Sequence, residues 1–186
     1  MSQRSYSDVP NRIVNLFLQE AGAQYDRARG LQPYRSMTPE VLLWFDGVCA
    51  YCAAPWEVEE HLVPRNRRAG GLHSWGNVVP ACRPCNRAKM ARSWSEHLAA
   101  VAGVAQAERQ GRIRDFIQHH RYAPNTSALI PLLEDLYATA DRQARDLVTQ
   151  TLHLAAEAVG ALLTSDDPLP TPHLISEPTR TSGPAA

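Results

Sequence analysis

The chain has 186 residues, of which 44% are apolar and 20% are charged, and its formal net charge is zero. This length allows one sizeable core, or a small functional module with a helical companion, and excludes two full-sized catalytic domains. The net charge of zero argues against a protein that coats nucleic acid through bulk positive charge. Because no apolar leader and no membrane-length apolar stretch is found, we expect a cytoplasmic protein.

Residues 1–36 are predicted to form an N-terminal helical arm. Apolar residues such as Ile13 and Phe17 recur with helical spacing between Asn11 and Gln24, which predicts one amphipathic helix there. A link containing glycine and proline follows, and these residues interrupt regular structure. We expect the arm to serve packing.

A short second helix is predicted to begin after Thr38. Threonine is a good N-cap, Pro39 fits the first helical turn, and the carboxylate of Glu40 favours the positive end of the helix dipole. The first cysteine follows this helix in the sequence.

Two brief strand-like segments come next, Val58–Val63 and Asn77–Pro80, and together they predict a hairpin. A two-stranded hairpin alone is marginal in water, so something else must hold it together. A helix over Cys85–Arg92 is predicted to lie across it.

The C-terminal part is predicted to be helical. Ser93 or Ser95 can cap a helix that ends near Gly103, and a further helix is expected over Gln106–Arg121. From Pro131 to Leu163 apolar residues recur every three or four positions, which predicts one long amphipathic helix or a helical hairpin.

Four cysteines form two pairs with the spacing Cys-x-x-Cys, namely Cys49 with Cys52 and Cys82 with Cys85. In a reducing compartment such pairs indicate a metal rather than disulfides. Four thiolates close the tetrahedral shell of zinc, so the predicted ion is structural. Apparent binding of roughly 10–16 kcal/mol, typical of zinc-finger peptides, is enough to fold a hairpin without its own core.

Two alternatives for the cysteines are a redox Cys-x-x-Cys motif and ordinary buried thiols. Two pairs with matching spacing argue against chance. The sequence also lacks the alternating strands and helices that a thioredoxin-like motif requires.

The segment from about residue 47 to 92 resembles the HNH endonuclease family, in its zinc-containing ββα-metal branch. Several separate elements appear in the family's order. They are an acidic residue and histidine followed by proline (Glu60, His61, Pro64), a Gly70-Gly71 loop, Asn77-Val-Val-Pro, and Cys82-x-x-Cys85-Asn86-x-x-Lys89.

The resemblance implies an α+β fold that is mostly α. A small ββα-metal HNH module, held together by a four-cysteine zinc site, would be flanked by the helical arm and a C-terminal helical region. The domains expected are 1–36, the arm; 37–96, the nuclease module; 97–164, the helical region; and 165–186, a tail predicted to be disordered because it is poor in apolar residues.

The resemblance also implies roles for individual residues. His61 would be the general base, since an imidazole can accept a proton at physiological pH. Glu60 and Asn86 would hold a catalytic Mg²⁺ or Mn²⁺ through hard oxygen ligands. Asn77 would support the catalytic strand by fixing the hairpin loop. His73 is expected to be a plain loop residue, with a phosphate contact as the alternative.

The sequence departs from the family pattern at two places. The residue before the base is usually Asp, whereas Glu60 is one methylene longer, which leaves the choice of metal open. Asn86 replaces the final histidine of some members, which is a common variant.

The stretch from His61 to Ser95 contains no acidic residue and several basic ones. Basic side chains there can neutralise phosphates without reading sequence. The predicted nucleic-acid contacts are Arg65, Arg67, Arg68, Arg83, Arg87, Lys89 and Arg92.

Two functions from different classes are compatible with these features. The first is a metal-dependent endonuclease that hydrolyses phosphodiester bonds in DNA, with RNA not excluded. The second is a non-catalytic zinc-stabilised module that binds nucleic acid or a partner. A homodimer through the C-terminal helices and a role in defence against foreign DNA are further hypotheses, the latter by analogy alone.

Overall fold

A computed structural model describes residues 8–163 of the chain. The predicted tail at 165–186 lies outside the described residues. The fold is mostly helical, with one small two-stranded sheet, as predicted. The elements are α1 (Asp8–Ala28), α2 (Pro39–Trp44), β1 (Val58–His61), β2 (Val78–Ala81), α3 (Arg83–Lys89), α4 (Trp94–Val101), α5 (Gln106–His119) and α6 (Thr126–Leu163), with a 3₁₀ turn at Gly103–Ala105.

The helix starts follow local capping chemistry. The Thr38 side chain accepts a hydrogen bond from the Val41 backbone at the start of α2, with Pro39 in the first turn. Ser93, rather than Ser95, caps α4, and its hydroxyl and the Glu96 carboxylate form a reciprocal capping box.

The sheet is an antiparallel hairpin in which Glu60 pairs with Val79 and His61 pairs with Val78. β1 ends at His61, two residues earlier than predicted. The reason is that the backbone N–H and C=O of Val63 form hydrogen bonds with the Asn77 side chain rather than with a neighbouring strand.

The long C-terminal helix differs from the prediction at its start. It begins at Thr126 and places Pro131 inside the helix, where proline removes one backbone hydrogen bond. Asn125 precedes the helix and its side chain accepts from the Ala128 backbone at 3.2 Å, which supports this earlier start.

The described residues divide into two compact units, 8–148 and 149–163. In the first unit one core cluster joins the hairpin and the cysteines to α2, α4 and α5 through residues such as Phe45, Leu98 and Phe116. A second cluster joins α1, the loop at Leu72, and α6. In the second unit residues 149–161 are exposed. Among the described residues no helix has the length and apolar character needed to span a membrane.

Candidate functional site

The four cysteines meet at one point between the hairpin and α3. Their sulfur atoms all lie within 4.8 Å of one another, with Cys52 and Cys82 at 3.6 Å, and none is in a disulfide. Tetrahedral zinc with bonds near 2.3 Å separates its sulfurs by about 3.8 Å. The donor set and its spacing therefore fit a structural zinc ion, held by Cys49, Cys52, Cys82 and Cys85.

The environment of these sulfurs favours a metal over free thiols. Cys49, Cys82 and Cys85 are buried, and desolvation is the largest cause that raises the pKa of the Cys49 and Cys85 thiols. Cys52 is half-buried, and its sulfur lies 3.6 Å from that of Cys82. A bound cation would stabilise the four sulfurs as thiolates and tie the turn before β1 to the start of α3.

His61 is the last residue of β1 and lines a small cleft of about 370 Å³, called here the His61 cleft. Glu60, Pro64 and Arg65 from the hairpin line the same cleft, and α1 contributes Asn15. The site thus joins the predicted base and the predicted carboxylate at one concave surface.

The imidazole of His61 is paired with that of His73. Nε2 of His61 lies 3.1 Å from Nδ1 of His73. Burial, followed by the charges of Arg65, His73 and Lys89, lowers the pKa of His61 to about 3. The ring is therefore neutral at physiological pH, the state in which imidazole can accept a proton.

His73 is itself held firmly in the loop before β2. It is buried, its ring packs edge-on against Tyr34 with centroids 5.0 Å apart, and it forms a hydrogen bond with the Arg35 backbone. Its backbone N–H lies 3.4 Å from the Leu18 carbonyl of α1. His73 was predicted to be a plain loop residue, and that prediction did not include its contact with His61.

Asn77 is fully buried and fixes the loop between the strands. Its Oδ1 accepts from Val63 N at 2.8 Å, while its Nδ2 donates to the carbonyls of Val63 at 3.1 Å and Leu72 at 2.8 Å. Three hydrogen bonds to two segments hold the end of β1 and the loop that carries His73. Its side chain is thus placed to support the site rather than to touch a substrate.

Glu60 is buried and forms an ion pair with Lys89 of α3. Lys89 Nζ lies 2.9 Å from Glu60 Oε1 and donates to the His61 carbonyl at 2.7 Å. Desolvation raises the pKa of Glu60, although the charge of Lys89 acts in the opposite direction. Oε2 of Glu60 lies outside this ion pair.

Lys89 requires a correction. Its side chain has 0% exposure, so it cannot contact the phosphates of a nucleic acid. The predicted contact of Lys89 with nucleic acid is therefore wrong. The ammonium instead neutralises Glu60 and connects α3 to the end of β1. A lysine within a basic stretch looks like a surface charge until its buried partner is known.

Asn86 lies in the middle of the short helix α3 and is half-buried. Cys82 occupies the N-cap of that helix, and its sulfur accepts from the Cys85 backbone. Capping is therefore not the role of Asn86. It lies one turn before Lys89 and Met90, and Met90 lines the His61 cleft.

The predicted basic contacts differ in how accessible they are. Arg65 lines the His61 cleft, while Arg67 and Arg68 line a second cleft of about 620 Å³ that shares Asn15, Asn66 and Ala91 with the first. Arg83 is exposed but pairs with Glu57 at 3.2 Å. Arg87 and Arg92 are exposed on and just after α3.

The N-terminal arm contributes to the site more than expected. Asn11 and Asn15 of α1 line the two clefts, and Asp26 of the same helix is fully buried. Asp26 accepts hydrogen bonds from the Ser74 hydroxyl at 2.6 Å and the Tyr34 backbone at 2.8 Å. No local pattern in the sequence indicates these long-range contacts.

Residues 49–92 match the family model described as HNH endonuclease. Comparison with curated proteins and with solved structures gives no significant match. The matched segment contains the cysteine cluster, both strands and α3, and it indicates nuclease activity in general terms. The resemblance found in the sequence is therefore confirmed over residues 49–92, the segment that matches the HNH endonuclease family model.

Proposed function

We propose that the protein is a metal-dependent endonuclease that hydrolyses phosphodiester bonds in DNA, with His61 as its general base. The observation that supports this most directly is the position of His61 at a cleft that Glu60 and Arg65 also line. A water molecule attacks a phosphodiester only when a base removes its proton, and a positioned base contributes about 10²–10⁴-fold in rate.

His73 orients the base in this proposal. If His73 donates to the Arg35 carbonyl through Nε2, its Nδ1 carries a lone pair and accepts a hydrogen bond from His61 Nε2–H. His61 then carries its own lone pair on Nδ1. The proton of the attacking water would pass to that atom.

Glu60 and Asn86 are the residues that would hold the catalytic Mg²⁺ or Mn²⁺. Both offer hard oxygen ligands, and Glu60 retains Oε2 outside its ion pair with Lys89. When bound, the divalent ion supplies charge neutralisation at the scissile phosphate and at the leaving 3′ oxygen.

The exposed and cleft-lining arginines would bind the flanking phosphates. Arg65 lies at the His61 cleft, and Arg67 and Arg68 line the neighbouring one. Arg83, Arg87 and Arg92 complete the proposed set. Such contacts position the backbone without sequence specificity, so we expect binding to weaken with rising salt.

The test is cleavage of supercoiled plasmid by wild type and His61→Ala with Mg²⁺, Mn²⁺ or EDTA, after zinc is confirmed in both proteins. Metal-dependent nicking or linearisation that is lost in the variant supports the proposal. Single-stranded RNA in a parallel assay shows whether the substrate is DNA alone. Absence of cleavage of every substrate by zinc-loaded wild type would reject the nuclease.

A non-catalytic binding module is the second candidate, and the Glu60–Lys89 ion pair is the observation that favours it. One oxygen of the proposed metal ligand is already neutralised by a buried ammonium. In that case nucleic-acid affinity would survive His61→Ala unchanged, and neither protein would cut.

A homodimer is a separate proposal that concerns the end of α6. Leu152, Leu154 and Val159 are more than half exposed there. Exposed apolar side chains on a long helix are typical of a helix–helix interface. A monomeric mass by light scattering at micromolar concentration would exclude it.

A further inference from the structure

Two histidines and a glutamate meet where the start of α2 approaches the end of α5. Glu40 lies in the first turn of α2, His119 is the last residue of α5, and His120 follows it. One ligand atom of each lies within 4.8 Å of the others. All three line a cleft of about 480 Å³ that is separate from the His61 cleft in its residues.

His120 is the buried member of this cluster. Its exposure is 9%, and its ring stacks on Trp75 with centroids 5.4 Å apart and contacts Phe116 edge-on at 4.6 Å. Its Nε2 is buried and has no hydrogen-bond partner among the described residues. A buried imidazole nitrogen without a partner is costly and needs an explanation.

The two imidazoles lie close enough together to share one ion. The ring centroids of His119 and His120 lie 4.9 Å apart, and their planes are inclined by 88°. Two imidazoles on one zinc ion, with bonds of 2.0–2.1 Å, place their ring centres about 5 Å apart. Glu40 and His119 are exposed, so their side chains can rotate to close the remaining distances.

The local charges are compatible with a cation. The Glu40 carboxylate supplies a negative charge, and the carbonyls at the end of α5 form the negative end of the helix dipole. Arg29 also lines the cleft, but it forms an ion pair with the buried Asp26 at 2.6 Å. This ion pair offsets the charge of Arg29, and Arg121 is a second arginine that lines the cleft.

We propose that Glu40, His119 and Nε2 of His120 form a second metal site, which takes a divalent ion of the zinc class. Two imidazoles and one carboxylate are ligands that suit zinc better than Mg²⁺. Three protein ligands leave a fourth position open to water or to a group bound in the cleft. The ion would connect α2 to α5, and the site shares no residue with the cysteine cluster or with the proposed catalytic site.

The experiment measures zinc bound to the full chain by elemental analysis and native mass spectrometry, after equilibration with micromolar Zn²⁺. The variant is Glu40→Ala with His119→Ala, because both side chains are exposed and their loss spares the core. The matched control is His153→Ala with Glu157→Ala, which removes another exposed histidine and glutamate that lie 3.2 Å apart.

We expect the Glu40/His119 variant to bind one zinc ion fewer than wild type, and the control to bind as many as wild type. Added zinc should also raise the Tm of wild type, already loaded at the cysteines, but not that of the variant. Equal zinc content in wild type and the Glu40/His119 variant would overturn the proposal. Retention of the cysteine-bound zinc shows that the variant is folded.

Discussion

His61 and His73 face each other across the proposed active site, with Nε2 of one 3.1 Å from Nδ1 of the other. Both rings belong to the segment that matches the HNH family model, but they come from different parts of the hairpin. A histidine base needs a fixed tautomer as well as a suitable pKa, and the partner of its second nitrogen sets that tautomer. The pair therefore leads to a direct test.

We expect His73→Ala to lower kcat for plasmid cleavage by about 10–100-fold, as is typical when the group that orients a functional histidine is removed. His73→Asn should recover much of the loss, because its amide oxygen can accept where Nδ1 did. The measurement is kcat and KM for both variants at matched zinc content. Equal activity of wild type and His73→Ala, or equal loss in both variants, would contradict the positioning role.

The rate of cleavage should not fall as the pH decreases through the ordinary pKa of histidine. Because burial lowers the pKa of His61 to about 3, the ring remains unprotonated as the pH falls through 6.5. The pKa of Glu60 is raised, so protonation of this carboxylate should limit metal binding first as the solution becomes acidic. The measurement is kcat/KM between pH 5 and 8 at saturating Mn²⁺. A loss of rate centred near pH 6.5 would show that the base has an ordinary pKa.

Loss of the cysteine cluster should unfold the nuclease module. Replacement of Cys85 by Ser removes one ligand at the start of α3, and loss of the metal disturbs the core cluster that Cys85 shares with the buried strand residues Val78 and Val79. We expect loss of zinc, a fall in Tm of more than 10 °C and reduced helical signal in circular dichroism. Serine at Cys85 with zinc and Tm unchanged would argue against a four-cysteine site.

A glycine in the arm allows the packing that places His73. A Cβ at Gly22 would come within 2.3 Å of the His73 carbonyl oxygen, so Gly22→Ala must displace α1 or the loop. We expect activity to fall at least tenfold and stability to fall by roughly 1–3 kcal/mol, as for other overpacked sites. The readouts are plasmid cleavage and urea unfolding.

Gly111→Ala is the matched control, because a Cβ there meets nothing within 4 Å. Alanine in place of a helical glycine with open space around it should stabilise α5 by up to about 1 kcal/mol and leave cleavage unchanged. Equal activity of Gly22→Ala and Gly111→Ala would show that the arm does not constrain the loop.

The hairpin, the helix after it and the cysteine pairs could be predicted because their signals are local. Turn glycines, Cys-x-x-Cys spacing and the capping residues Thr38 and Ser93 act over a few residues. Partners that are distant in the chain carry no such signal. The burial of Lys89 depends on Glu60, which lies 29 residues earlier, and the position of His73 depends on a helix about fifty residues away.

The roles of residues in the candidate site also divide into those that a sequence pattern predicts and those that depend on long-range contacts. The resemblance names the site residues but does not describe their surroundings. It could not predict that His61 faces another imidazole, since a single histidine in a glycine-rich loop resembles any polar loop residue. The supporting role of Asn77 stays a prediction, and its three hydrogen bonds to Val63 and Leu72 give a physical reason for it.

Because of Asp26, residues 49–92 depend on the N-terminal arm and cannot be moved to another protein alone without losing contacts. Its buried carboxylate binds Arg29, Ser74 and the Tyr34 backbone, so a residue outside the matched segment 49–92 organises the loop inside it. Grafting residues 49–92 onto an unrelated host would leave Ser74 without its partner and His73 without the helix that supports it. Sequence changes in the arm can thus alter the position of His73 while every family motif remains intact.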